Sequence, residues 1–381
     1  MQIIGILAFV VALLFSVMVH EFGHYLTARH YGMKVSEFFL GFGKRLWSTQ
    51  RGETEFGIKA IPAGGYCRIE GMAPNDEMPA GEESRAFYKA SSGKKLVVLG
   101  AGSFLHFVLG YLLLFTLFAG VGTNQVLPVI GEVVKDSAAA SAGIKAGDEV
   151  ISINGIAVKN WYKDVEAIRN SGGKDLVLGL KRDGEQITIT ATPQLTEVDG
   201  ASRYVLGIIN TIGIKRSGVV QSASYAFTAT KSFITESAKS LVALPSKIPA
   251  LWGQTVRGEE RDANGLVGVV GVARVSGQAV GDAQLSISER AATFILIVAS
   301  LNIFVGLFNL LPILPLDGGH MAVAIADEVR ALFARIRKRP RPAAIDVTVL
   351  TPITMVVFVI LASLTLLLLV ADVINPVTLN L

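Results

Sequence analysis

The 381-residue chain holds one cysteine, Cys67, so an internal disulfide and a cysteine-built zinc cluster are both excluded. It is also short of charge: 17% of its residues are Asp, Glu, Lys or Arg, against roughly 25% in soluble domains. The shortage is concentrated in four runs. Residues 96–121, 291–315 and 347–370 contain no charged side chain, and neither do residues 3–19. A helix needs about 20 apolar residues to cross a hydrocarbon core of about 30 Å. Four spans are therefore predicted, and a cytosolic or fully secreted enzyme is excluded. No Lys or Arg precedes the first run and no small-residue cleavage site follows it, which predicts a retained span and not a leader.

The charges that remain set the orientation. Eleven Lys or Arg fall between Arg29 and Lys95 and six between Arg330 and Arg341, in the loops after the first and third spans. By the positive-inside rule both loops are cytoplasmic, and both termini and the 123–290 segment lie outside. The net charge of +4 is accounted for in this way, so the expected partner is the lipid bilayer and not nucleic acid.

The predicted fold is a polytopic α-helical membrane protein with four transmembrane helices, a membrane-associated β-hairpin and an inserted extracytoplasmic α+β domain. The spans are placed at 1–29, 95–122, 291–319 and 347–371. Residues 30–94 form a cytoplasmic loop, in which 54–71 alternates apolar residues and then turns at Pro62, Gly64 and Gly65. That pattern fits either a hairpin re-entering the membrane or an ordinary cytoplasmic hairpin. Residues 196–290 read as an amphipathic and linking segment, 320–346 as a cytoplasmic loop and 372–381 as an outer tail. Between them, 126–195 carries A-G-I-K-A-G-D-E-V-I-S-I-N-G, which resembles the signature of PDZ domains. Such domains accept a peptide as an added strand and hold its carboxylate on backbone amides. Val129, Ile130 and Gly131 are the candidate carboxylate loop; a spacer or steric filter is the alternative.

Chemistry concentrates where charge is otherwise absent. His20-Glu21-Phe22-Gly23-His24 is H-E-x-x-H. Histidines at i and i+4 lie one turn apart on one helical face, so both imidazoles can reach one zinc while the Glu serves as general base. Zinc brings the pKa of bound water toward neutrality, ready for attack on a peptide carbonyl. Three ionisable residues at the end of an apolar span are costly unless they bind or react. A tetrahedral catalytic zinc needs a third protein ligand, and His30, His106, His320 and nearby acids are the candidates. On a continuous helix His30 lies about 9 Å beyond His24, and Thr27 stands where a helix-breaking glycine would be needed to fold it back. Asp317 is the better candidate. It lies in N-L-L-P-I-L-P-L-D-G-G, where Pro312 and Pro315 break the helix, Gly318-Gly319 permits a left-handed turn, and the expected depth matches H-E-x-x-H.

H-E-F-G-H, N-L-L-P-I-L-P-L-D-G-G, the I-P-A-G-G-Y hairpin and the PDZ-like segment together resemble the site-2 proteases, intramembrane zinc metalloproteases, in their four-span, single-PDZ, actinobacterial-like form. The resemblance spans nearly the whole chain. It implies His20, His24 and Asp317 as zinc ligands, Glu21 as general base, and Asn309 as a group that holds substrate or stabilises the oxyanion. It implies that the hairpin around Ile61, Pro62, Gly64, Gly65 and Tyr66 clamps the unwound substrate as a strand. The implied substrates are single-span membrane proteins, such as anti-sigma factors already cut by a site-1-type protease, or signal-peptide remnants. One departure is His106, where the family often has Asn on the second span. It reads as a helix-packing residue, and Asn302 as a bridge between helices. The rival readings are a membrane PDZ adaptor with a structural metal, against which the intact Glu21 argues, and a metal transporter, which would be expected to carry repeated halves.

Overall fold

The computed structural model describes residues 1–198, 201–262 and 265–377. They form two compact units, one of residues 1–121 together with the chain from 217 onward, the other of residues 122–216.

The first unit opens with helix α1, Gln2–His30, free of charged side chains from residue 3 to 19 and ending on Arg29 and His30 in its last turn. Those side chains complement the negative C-terminal end of the helix dipole, and Gly32, at φ +76°, ends the helix. Strands β1, Val35–Arg51, and β2, Thr54–Ile69, follow. The expectation was a hairpin whose two limbs pair with each other across Pro62–Gly65. They do not pair. Residues 55–58 of β2 pair on one side with 47–50 of β1 and on the other with 37–40, whereas 65–68 pair with 37–40 alone. Partner numbers rise together along 37–40 and 55–58, so that contact is locally parallel within an otherwise antiparallel pair. The sheet therefore reads, limb by limb, 45–51, 54–59, 35–40, 65–69, and the last limb is a free edge. Helix α2, Ser92–Thr116, extends to Val121 by a π turn.

The second unit runs past the 126–195 boundary expected from sequence. It comprises β3 (Thr123–Val133), α3 (Ala138–Ser141), β4 (Glu149–Ile153), β5 (Ile156–Ala157), α4 (Trp161–Asp164), α5 (Glu166–Arg169), β6 (Leu176–Arg182), β7 (Glu185–Ala191), β8 (Gln194–Val198), β9 (Ala201–Val205) and β10 (Ile208–Lys215). The sheet order is β10-β3-β4-β6-β7, with β5 on β4 and β8-β9 as a separate ribbon. It extends to 216 because β10 returns to pair along the length of β3. In β6 Leu176, Leu178 and Leu180 point inward onto Ile130, Val150 and Trp161, the period-2 alternation of a half-buried strand. Asp183 and Gly184, both at positive φ, make the tight turn into β7.

A buried carboxylate holds this unit together. Asp148 is 1% exposed and accepts two hydrogen bonds of 2.7 Å from Arg182 and one of 2.8 Å from the Lys145 amide. The Arg182 guanidinium holds its pKa below the ordinary carboxylate value. The stabilisation is thus complete above the unfolded-state pKa of about 3.9 and is lost as pH falls through the lower folded-state value. Protection of the β4 and β6 amides against hydrogen exchange, taken relative to the intrinsic rate at the same pH, is expected to fall below about pH 4 in the native chain, and to be already reduced at neutral pH in Asp148→Asn.

The first unit resumes with α6 (Val219–Val256), α7 (Val269–Gly281), α8 (Ile287–Asn309), α9 (Asp317–Ile336) and α10 (Thr351–Ile374). Among the described residues, four stretches are long and apolar enough to cross a membrane: Gln2–His30, Ser92–Val121, Ile287–Asn309 and Val347–Ile374. Ser286 and Glu289 cap the start of α8 reciprocally. Helix α6 packs Ala226 with Leu114, Leu117, Ala299 and Ile303. Near the end of α10 the buried Asp372 accepts from Arg261 (3.1 Å) and from the Gly271 amide (2.8 Å). Helix α8 ends at Asn309 and α9 starts afresh at Asp317, so the chain leaves helical geometry across the stretch that holds Pro312 and Pro315, and α9 occupies most of residues 320–346. The last four residues of the expected 372–381 tail lie outside the described residues.

Candidate metal centre

His20 and His24 project from one face of α1, one turn apart, and both are buried at 7% exposure. Asp317 opens α9, where a carboxylate is favoured by the positive end of the helix dipole. The three meet. His20 Nε2 and His24 Nε2 are 3.0 Å apart, and Asp317 Oδ2 lies 3.2 Å from the first and 3.3 Å from the second. A zinc bonded tetrahedrally at about 2.0–2.1 Å keeps its donors about 3.3 Å apart, so this triangle fits the ion. The lone pairs fit as well. His24 Nδ1 is 2.8 Å from the Val98 carbonyl, which can only accept, so Nδ1 carries the proton and Nε2 is bare. Asp317 Oδ2 is buried with no hydrogen-bond donor. Fixing a ligand imidazole through its other nitrogen is the usual outer support of a metal site.

Close helix packing makes the cluster possible. A Cβ on Gly23 would sit 2.7 Å from the Ala101 carbonyl oxygen, and one on Gly102 would sit 2.5–2.7 Å from three atoms of the His20 ring. Only glycine lets α1 and α2 approach this closely with His20 between them. The glycines beside Asp317 act in the same way. The sequence suggested a left-handed turn there, but Gly318 and Gly319 are helical, and their missing side chains admit the backbone of Leu310–Leu314.

Glu21 stands outside the triangle. Its Oε2 accepts a 2.9 Å hydrogen bond from the Cys67 amide on the free edge of the four-limbed sheet. That edge lies along α1, since a Cβ on Gly65 would sit 2.7 Å from Met18 Sδ. Ile61 and Pro62 are exposed at the sheet's tip, and Gly64 takes φ +139° against the Phe42 ring. Tyr66 stacks on Phe39 and Phe42, and its hydroxyl bonds Glu37. Asn309 is the last residue of α8, half-buried, with no hydrogen-bond partner for its side chain among the described residues.

The other histidines fall outside the three-donor cluster. His30 ends α1 with its ring against Tyr31, and His320 lines a crevice with Lys95 and Asp327. The His106 ring lies 5.0 Å from that of His20, tilted by 39°, and shares a 2.9 Å hydrogen bond with Asn302 Oδ1. Asn302 donates in turn to the Val298 carbonyl, so its oxygen is the acceptor and His106 Nδ1 the donor. The pair bridges α2 and α8. Val129, Ile130 and Gly131 do not form a loop. They lie within β3, flanked by β10 and β4, and the Ile130 amide already donates to the Asp148 backbone carbonyl. A carboxylate cradle needs free amides, and the Ile130 amide is not one. Sequence reasoning missed Val98, Gly102 and the Cys67 amide.

Comparison with known proteins gives one consistent picture. The model of the family described as Peptidase family M50 matches residues 8–361. The zinc metalloprotease Rip1 of Mycobacterium tuberculosis is 34% identical over 414 aligned residues, covering 100% of this chain and 99% of the relative. Rip1 of Mycolicibacterium smegmatis is 35% identical over 98% of both chains. A putative zinc metalloprotease of Mesorhizobium japonicum is 31% identical over 80% of this chain and 84% of its own.

Proposed function

We propose how this chain, which belongs to peptidase family M50 and is a zinc-dependent intramembrane metalloendopeptidase, divides its reaction among its residues. His20, His24 and Asp317 hold the zinc, and the observation that carries this is the triangle of donors with edges of 3.0–3.3 Å. The metal supplies an acidified water and a Lewis acid for the carbonyl. Glu21, adjoining one ligand, takes the proton of the attacking water and returns it to the leaving amine. Asn309, with an uncommitted amide eight residues before Asp317, holds the substrate carbonyl or the oxyanion that develops from it.

A transmembrane substrate buries its peptide bonds in a helix and must be unwound before it is cut. The free edge at residues 65–69 offers backbone groups to an extended chain beside Glu21, which supports strand addition as the way substrate is held. Gly65 and Tyr66 belong to that edge, and Ile61, Pro62 and Gly64 to the tip leading into it. The distribution of Lys and Arg supports a cytoplasmic position for residues 30–94 and 320–346, an outer position for the 122–216 unit and both termini, and cleavage near the cytoplasmic face.

The 122–216 unit is read as a PDZ-like module. Because β3 is interior, a peptide can add only at an outer strand, and β10, with Ile209 and Ile212 exposed, replaces Val129–Gly131 as the candidate. The substrates we assign are single-span proteins, such as anti-sigma factors shortened by a site-1-type protease, or signal-peptide remnants. The test is reconstitution in liposomes with a single-span reporter. Stripping zinc with a membrane-permeant chelator is expected to reduce cleavage at least a hundredfold, and stoichiometric zinc to restore it. Cleavage that persists in demonstrably metal-free protein would overturn the assignment.

A further inference from the structure

In a strand the N–H and C=O of one residue point to the same side, and successive residues alternate. Along the free limb, Cys67 is opposite Phe38 but sends its amide away from β1, to Glu21 Oε2 at 2.9 Å. Gly65, two residues earlier and opposite Leu40, faces outward in the same sense. The outward groups of Gly65 and Cys67 are thus those an added strand would use, and the Cys67 donor is already taken. Its thiol takes no part, since it packs against the cluster of Ala28, Met33, Val35, Phe87, Val98 and Leu99.

We infer that the Cys67 backbone amide is a positioning group for Glu21 and closes the open ladder, so that a substrate strand pairs at Gly65 and stops short of residue 67. The inference rests on the reading of Glu21 as base and of the edge as substrate-binding. Its content is that edge and base form one device. The sheet that aligns the substrate also aims the carboxylate, and the carboxylate prevents the ladder from running on past the metal centre. The peptide group that follows the last paired residue is left unpaired beside Glu21, as a bond about to be attacked must be.

The first test needs no activity. In the metal-free full-length protein in detergent, the Cys67 amide is expected to exchange hydrogen at least tenfold faster in Glu21→Ala than in the native chain. Equal rates would overturn the inference. The second compares Cys67→Ala, which loses only the thiol, with Cys67→Pro, which also loses the donor at an edge position where proline is tolerated. Relative to Cys67→Ala, Cys67→Pro is expected to lower kcat at least tenfold, with KM within twofold and zinc content equal. A raised KM at constant kcat would give the amide to the substrate instead and overturn the inference. Should Cys67→Pro not fold, the exchange result decides alone. Failure of the underlying reading is seen separately, as cleavage that survives Glu21→Gln.

Discussion

Glu21→Gln is expected to lower the rate of peptide cleavage about a thousandfold or more while leaving one zinc per chain. The substitution preserves shape, and the amide oxygen can still accept from Cys67 N–H, so the edge strand stays where it is. What is lost is the ability to take a proton. Positioned acid–base groups contribute about 10² to 10⁴ in rate, and here one group serves both attack and departure of the amine. None of the three ligand atoms is touched. Measurement pairs single-turnover cleavage of a membrane-embedded reporter with metal analysis of the same sample. Release of the cytoplasmic fragment at the native rate would remove Glu21 from the mechanism, and loss of zinc would make its role structural.

Asp317→Ala is expected to weaken zinc binding about a hundredfold or more and to abolish cleavage at ordinary zinc concentrations. Supports that only orient a ligand are worth about 10–100-fold in affinity, so removing a ligand atom sets that as a lower bound. The loss is not a general failure of packing. Asp317 is the first residue of α9, and the helix it opens is seated by Gly318 and Gly319 on the backbone of residues 310–314, which the substitution leaves in place. Competition with a zinc indicator gives the affinity, and thermal unfolding of the metal-free proteins gives the control. Unchanged affinity would send the search for a third ligand back to His106 and His320.

Much of this centre could be read from the sequence because its geometry is local. Two histidines four residues apart on a helix share a face whatever surrounds them, and an acid on a proline-broken span has few reasons to be there. The outer supports could not be read. The Val98 carbonyl and the Cys67 amide belong to the main chain, which looks alike at every position, and Gly102 matters only through the ring it faces. The hairpin was misjudged because residues 35–40, V-S-E-F-F-L, carry no clean alternation, so nothing marked them as the strand that would separate the two limbs. The second unit was cut short for a different reason. Strand β10 pairs with β3 across the whole intervening domain, and no local pattern records a partner that distant.

The donors of the metal centre come from opposite ends of the chain. His20 and His24 emerge early in synthesis, whereas Asp317 follows only after α2, the entire 122–216 unit and α8. At about 5–20 residues per second, the first two wait roughly 15 s to a minute for the third. During that interval a nascent chain that will later cut transmembrane segments lies in the bilayer among newly inserted proteins without a closed triangle of donors. Chain order thus acts as a clock: on the proposed ligand assignment, the set of donors is complete only once three of the four candidate spans have been made.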